Sequence, residues 1–164
     1  MGSLFVVIFV VSLGLLSKCE GDLIGDLCSR SNNPSLCNQV LRSDPRSGGS
    51  DARGLAEIAV ENAESSTKSA INVAKSVVNG GNKNNIDTCI ENFNNAVGTL
   101  EDSKPLIRKG DRGSIGDLKT KGSAVLTDLN TCADDFPNEP TQLKEATARA
   151  YTISQLFLII VNTY

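Results

Sequence analysis

Four cysteines, Cys28, Cys37, Cys89 and Cys132, punctuate a chain otherwise patterned for helices, and none of its 164 residues is histidine. Two crosslinks between helices leave such a chain few ways to fold. Four thiols downstream of an apolar leader read as two disulfides formed in an oxidising compartment. The missing histidine removes the commonest general base, metal ligand and near-neutral pH switch together.

The leader is set aside first. Residues Leu4 to Leu16 are apolar apart from Ser12 and Gly14, long enough for a signal-peptide core and short for a membrane span. Small residues at Ser17, Cys19 and Gly21 suit cleavage. Residues 1–21 are therefore expected to leave, taking the odd Cys19 with them, so that the mature chain begins near Asp22. Roughly 140 residues remain, enough for one domain with its own core. The formal charge is −3, with both signs scattered and no block of lysine or arginine, which speaks against a nucleic-acid partner. Only Phe93, Phe136, Tyr151, Phe157 and Tyr164 are aromatic beyond the leader. Alanine, valine, leucine and isoleucine must therefore build the core.

Four long segments carry helical periodicity. The first is expected over 51–78, with Asp51 as N-cap and Leu55, Ile58, Ala59, Ala63, Ala70, Ile71, Ala74, Val77 and Val78 on its apolar stripe. Asn79-Gly80-Gly81 should stop it through a left-handed glycine. The second is expected over 85–101, with Ile86, Cys89, Phe93, Ala96, Val97 and Leu100 on one face and Pro105 limiting its extension. A third, 114–136, contains Gly116 and Gly122, each costing about 1 kcal/mol against alanine, so its first half should fray or kink. The fourth follows Pro140, with Thr141 as N-cap and Glu145 in the first turn, and its stretch Phe157 to Val161 is apolar on all sides.

Ahead of these, Leu23, Ile24, Leu27 and Cys28 form one short helix, and Asn33-Pro34 opens another carrying Leu36, Cys37, Val40 and Leu41. Two short helices cannot hide their apolar faces alone, so this hairpin (22–44) must lean on its own bundle or on another copy. The expected class is all-α: an antiparallel up-down four-helix bundle (51–164) with an N-terminal hairpin. Cys28 and Cys37 flank the hairpin turn. Cys89 lies near the start of the second long helix and Cys132 near the end of the third, which in antiparallel neighbours is the same end of the bundle. Pairing 28–37 and 89–132 follows. A zinc site would need close-spaced cysteine pairs, and none exists; no metal or cofactor is implied.

No catalytic constellation is present. Adjacent Asp134 and Asp135 diverge by about 100° on a helix, and the glycine pairs 48–49 and 80–81 lack the lysine of a phosphate loop. The expectation is a binding protein, not an enzyme.

Particular residues narrow the class. Asn33-Pro34-Ser35-Leu36-Cys37, Leu41, Ser43-Asp44-Pro45-Arg46-Ser47 and Gly54-Leu55-Ala56 resemble the opening of the plant invertase and pectin methylesterase inhibitors. Cys89-Ile90-Glu91-Asn92-Phe93-Asn94-Asn95-Ala96-Val97 and Thr131-Cys132-Ala133-Asp134-Asp135-Phe136 resemble that family's later blocks. The resemblance spans Leu23 to Val161. It implies the hairpin-plus-bundle fold and the same disulfides. It also implies an extracellular protein of the plant cell wall or apoplast that blocks its target's active-site cleft by forming a 1:1 complex.

The two inhibitor types differ in the implied contacts. Invertase inhibitors carry Pro-Lys-Phe after a Gly-Asp, whereas Gly110-Asp111 is followed here by Arg112-Gly113-Ser114. Resemblance to the pectin methylesterase inhibitors implies contacts from Glu91, Asn95, Asp111, Thr131 and Asp134, with Asn95 standing where a well-known member has aspartate. The stretch from Asp111 to Cys132 is a few residues longer than is typical. Pectin methylesterase is thus the expected partner. Acid invertase, or a wall or pollen protein of this fold without inhibitory activity, is the alternative. The monomer, or a weak dimer through the hairpin, is the expected state.

Overall fold

The computed structural model describes residues 22–164, and the expected signal segment 1–21 lies outside the described residues. Six α-helices account for nearly all of the regular structure: α1 (Leu23–Cys28), α2 (Pro34–Ser43), α3 (Ala52–Ser76), α4 (Lys83–Lys109), α5 (Arg112–Asp135) and α6 (Thr141–Val161). A short 3-10 turn, Pro45–Ser47, links α2 to α3. In the ring of long helices, α3 packs on α4 and α6, and α5 packs on the same two. Short connections make successive helices antiparallel, which is the expected up-down bundle.

The sequence builds this ring from a lean helix and bulky neighbours. Buried Ala56, Ala59, Ala63, Ala70 and Ala74 of α3 leave room for Phe93 of α4 and Phe157 of α6, both with no exposed surface. Leu100, Ile107, Leu118, Leu129 and Leu143 complete the interior. Each such side chain contributes about 1.5–3 kcal/mol through burial. None of Phe157 to Val161 is exposed, because α6 is covered by the ring on one side and by the hairpin on the other.

Helices α1 and α2 pack against one another and back onto α3 and α6, burying Ile24, Leu27, Val40 and Leu41. In this chain the hairpin therefore leans on its own bundle. Asn33 caps α2 by accepting from the Leu36 N–H at 3.0 Å, and Cys28 is joined to Cys37. Arg46 of the 3-10 turn then pairs with Asp44 at 2.7 Å and with Glu61 of α3 at 2.6 Å, fastening the junction between hairpin and bundle.

Several expected boundaries move, each for an identifiable reason. Helix α4 runs through Pro105 to Lys109 instead of stopping near Glu101. The Pro105 ring lies on the exposed face, where water can serve the orphaned carbonyl, and the extra turn buries Ile107 completely. Gly110, at φ +62°, ends the helix.

Helix α5 is continuous from Arg112, and its glycines do not interrupt it. A Cβ on Gly122 would stand 2.9 Å from Leu158 Cδ1, so this glycine lets α5 approach α6 closely. Helix α3 stops at Ser76, leaving Val78 44% exposed instead of on the core stripe. Asparagine side chains shape the turn that follows, in place of a left-handed glycine: Asn82 Oδ1 accepts from the Asn79 N–H at 2.7 Å, and Asn82 Nδ2 donates to the Val77 carbonyl at 3.0 Å. Pro140, not Thr141, holds the N-cap position of α6, and no acidic residue lies in its first turn.

Candidate partner-binding face

The disulfide Cys89–Cys132 joins α4 to α5 with Cα atoms 4.6 Å apart and both residues buried. Because the helices run in opposite directions, residues shortly after Cys89 lie level with residues shortly before Cys132. Glu91 and Asn95, four residues apart, share the exposed side of α4 opposite its buried stripe. Thr131 is half-buried and Asp134 exposed on α5. All four lie within about 10 Å of axial rise from the disulfide, Glu91 and Asn95 on α4 and Thr131 and Asp134 on α5.

Asp111 stands apart. It lies twenty residues beyond Glu91 along α4 and its cap, hence about 30 Å away at the other end of the bundle. There its carboxylate accepts from the Ser114 N–H at 2.7 Å and pairs with Lys109 at 2.9 Å. The Ser114 N–H first, and then Lys109, hold its pKa down at about 2. The same residue is thus the N-cap of α5, at the opposite end of the bundle from Glu91.

A shallow recess of about 230 Å³ lies between α5 and α6 beside two of the candidate residues, lined by Leu126, Thr127, Asn130, Thr131, Asp134 and Tyr151. The Thr127 hydroxyl donates to the Ser123 carbonyl at 3.1 Å, and that of Thr131 donates to the Thr127 carbonyl at 2.9 Å. Asn130 Nδ2 donates to Asp134 Oδ2 at 3.1 Å. With those donors committed to the helix itself, the recess offers mainly oxygen acceptors, beside the half-buried Leu126 and Tyr151. Tyr151 escaped the sequence reading because it sits one residue beyond Ala150, just off the buried stripe of α6. Its half-exposed aromatic ring at a stripe edge is the signal that marks it.

Burial pushes the carboxyl of Asp128, on the same helix, above its ordinary value. Burial also pushes Glu139 up, offset in part by a 3.2 Å hydrogen bond from the Thr147 hydroxyl. Glu139 Oε1 approaches the Cys132 sulfur at 3.7 Å, a packing contact, since a disulfide sulfur has no proton to donate. The acidic side chains Asp128, Asp134, Asp135 and Glu139 therefore collect at this end of α5, whereas Arg108, Lys109 and Arg112 lie at the far end. No group of three or more metal-ligating side chains occurs among the described residues.

A stapled helical bundle that displays a polar, acceptor-rich face belongs to the class of small binding proteins. Its family can be named. The sequence profile of the plant invertase/pectin methylesterase inhibitors matches residues 22–160, and the chain belongs to that family, one of inhibitor proteins and not of enzymes. It is 34% identical over 168 aligned positions to a pectinesterase inhibitor of Actinidia deliciosa, covering 97% of this chain and 89% of that one. It is 27% identical to pectinesterase inhibitor 2 of Arabidopsis thaliana, covering 94% and 90% respectively. The crystal structure of a mutant form of an Arabidopsis pectin methylesterase inhibitor superposes with a TM-score of 0.72 at 20% identity, covering 85% of this chain and 95% of that one, and shares the fold.

Proposed function

We propose that this protein inhibits pectin methylesterase, occupying the esterase's substrate cleft in a 1:1 complex without chemistry of its own. One observation carries the reading: the 34% identity over nearly the whole chain to a protein named for that activity. Arg112-Gly113-Ser114 in place of Pro-Lys-Phe weighs in the same direction, against an invertase target.

The contact face in this proposal is the disulfide end of α4 and α5, with Glu91, Asn95, Thr131 and Asp134, continued into the recess by Tyr151. A lysine or arginine of the esterase fits such a recess, its stem against Leu126 and Tyr151 and its charged head against Asp134. The surrounding carboxylates would steer a basic enzyme toward the face and repel pectin, a polyanion. Asp111 enters the proposal only by fixing the start of α5. Secretion belongs to the same reading, resting on the apolar run Leu4–Leu16 and on two disulfides that persist outside a reducing cytosol.

Side-by-side titration of the purified protein against one plant pectin methylesterase and one acid invertase tests the assignment. Stoichiometric loss of methylesterase activity with invertase untouched is expected. Inhibition of invertase alone would refute it.

A further inference from the structure

The turn between α3 and α4 contains the single Asn-Gly pair of the chain, Asn79-Gly80. Both residues are exposed, and a Cβ placed on Gly80 would meet nothing within 4 Å. The Asn79 side chain folds forward over the turn, its Oδ1 accepting from the Gly81 N–H at 2.9 Å. Among the described residues the Gly80 N–H has no hydrogen-bond acceptor.

This arrangement has a definite chemistry. It fixes the Asn79 side chain over the turn and leaves the Gly80 nitrogen with no hydrogen bond to restrain it. It also aims a backbone N–H at the oxygen that gains negative charge if that nitrogen attacks, the same electrostatic device that stabilises oxyanions in acyl transfer. The Asn82 N–H donates to the Asn79 carbonyl at 3.2 Å and closes the turn, while the space around Gly80 stays open and glycine lacks the side chain that would obstruct closure of a five-membered ring.

We propose that Asn79 is a site of self-catalysed deamidation in the folded protein. Deprotonated Gly80 nitrogen forms a bond to Asn79 Cγ, and the C–NH2 bond breaks. Ammonia departs with the proton that the nitrogen gave up. Water then opens the resulting succinimide at either carbonyl, giving aspartate or isoaspartate. No oxidant, cofactor or second protein takes part.

Asn82, three residues on, is the internal control. Its Oδ1 accepts from the Asn79 N–H, its Nδ2 donates to the Val77 carbonyl, and Lys83 follows it. Both groups of its amide are engaged and the next residue is not glycine, so it should remain intact.

The test is timed incubation of the purified protein at neutral and mildly alkaline pH, followed by tryptic mapping under acidic handling. Cleavage after Lys75 and Lys83 releases the peptide Ser76–Lys83, which holds both asparagines. Fragmentation separates position 79 from 82, and enzymatic methylation counts isoaspartate. Conversion at Asn79 is expected to proceed at least as fast as in the same synthetic peptide, to accelerate with pH, and to outrun Asn82 several-fold. Gly80→Ala should slow it several-fold with the melting temperature unchanged. Slower conversion in the folded protein than in the free peptide, or first conversion at Asn82, would overturn the proposal.

Discussion

Replacing Cys89 and Cys132 by alanine should destabilise the protein more than the same change at Cys28 and Cys37, by an amount the connectivity sets. The bond 89–132 spans 43 positions and the bond 28–37 spans 9. The chain-entropy relation assigns about 4 kcal/mol to the longer loop and about 2.6 kcal/mol to the shorter, a gap of roughly tenfold in the folding equilibrium. All four cysteines are no more than 2% exposed, so the small voids left by alanine are comparable and largely cancel in the comparison. Urea unfolding followed by far-ultraviolet circular dichroism, with each remaining bond kept oxidised, measures both losses. Inhibition of a pectin methylesterase, titrated where both variants are folded, gives the functional counterpart. It should weaken more in the 89/132 variant, since that bond holds α4 and α5 in register beside Glu91 and Asp134. A costlier loss from the 28/37 variant would refute the reasoning and place the stability-limiting constraint in the hairpin.

Gly116→Ala, at an exposed position with open space around it, should stabilise by about 1 kcal/mol in the same unfolding assay. Gly122→Val should instead cost about 1–3 kcal/mol by forcing Leu158 aside. Asp134→Ala and Glu91→Ala should each raise the inhibitor concentration needed for half-inhibition without changing helix content; removing one member of a buried charge pair costs about 2–5 kcal/mol and a rim charge far less. Full inhibition by both would move the binding face elsewhere. Burial raises the folded-state pKa of Glu139, so its contribution favours the fold below the unfolded carboxyl value and is lost as pH rises through the folded one. Glu139→Gln should accordingly flatten that fall in melting temperature. Asp111, held near 2, has the opposite sign: its contribution is present above the unfolded value and lost as pH falls toward 2, a dependence that Asp111→Asn should remove.

The apolar stripe of each long helix was legible because burial leaves a period in the sequence. Ile86, Cys89, Phe93, Ala96, Val97 and Leu100 are all buried, as their spacing predicts. The disulfide pairing followed from the same periodicity once the helices were taken as antiparallel. What escaped depends on geometry between elements. Nothing local distinguishes a proline on a wet face from one inside a bundle, so α4 was expected to stop too soon. Nor does a glycine in a helix reveal the leucine it faces, and Gly122 reads as a weakness until Leu158 is seen above it. The placement of the candidate residues was legible only in part. Glu91, Asn95, Thr131 and Asp134 share one end because they flank bonded cysteines, but the 30 Å separating Asp111 from them needs the full length of α4, eight residues longer than its expected end at 101.

The hairpin lies over α3 and α6, which leaves α4 and α5 on the opposite side of the ring. The molecule thus has a back and a front, and this gives a handle for surface-based measurement. A biosensor chip or fluorophore coupled through an engineered cysteine at exposed Ser35 or Gln39, on the outer side of α2, would present the α4–α5 side to solution. Coupling through Asn94 of α4 would set that side close to the support. If the front is where the esterase docks, the first orientation captures enzyme from solution and the second does not, with the same protein and the same linker in both.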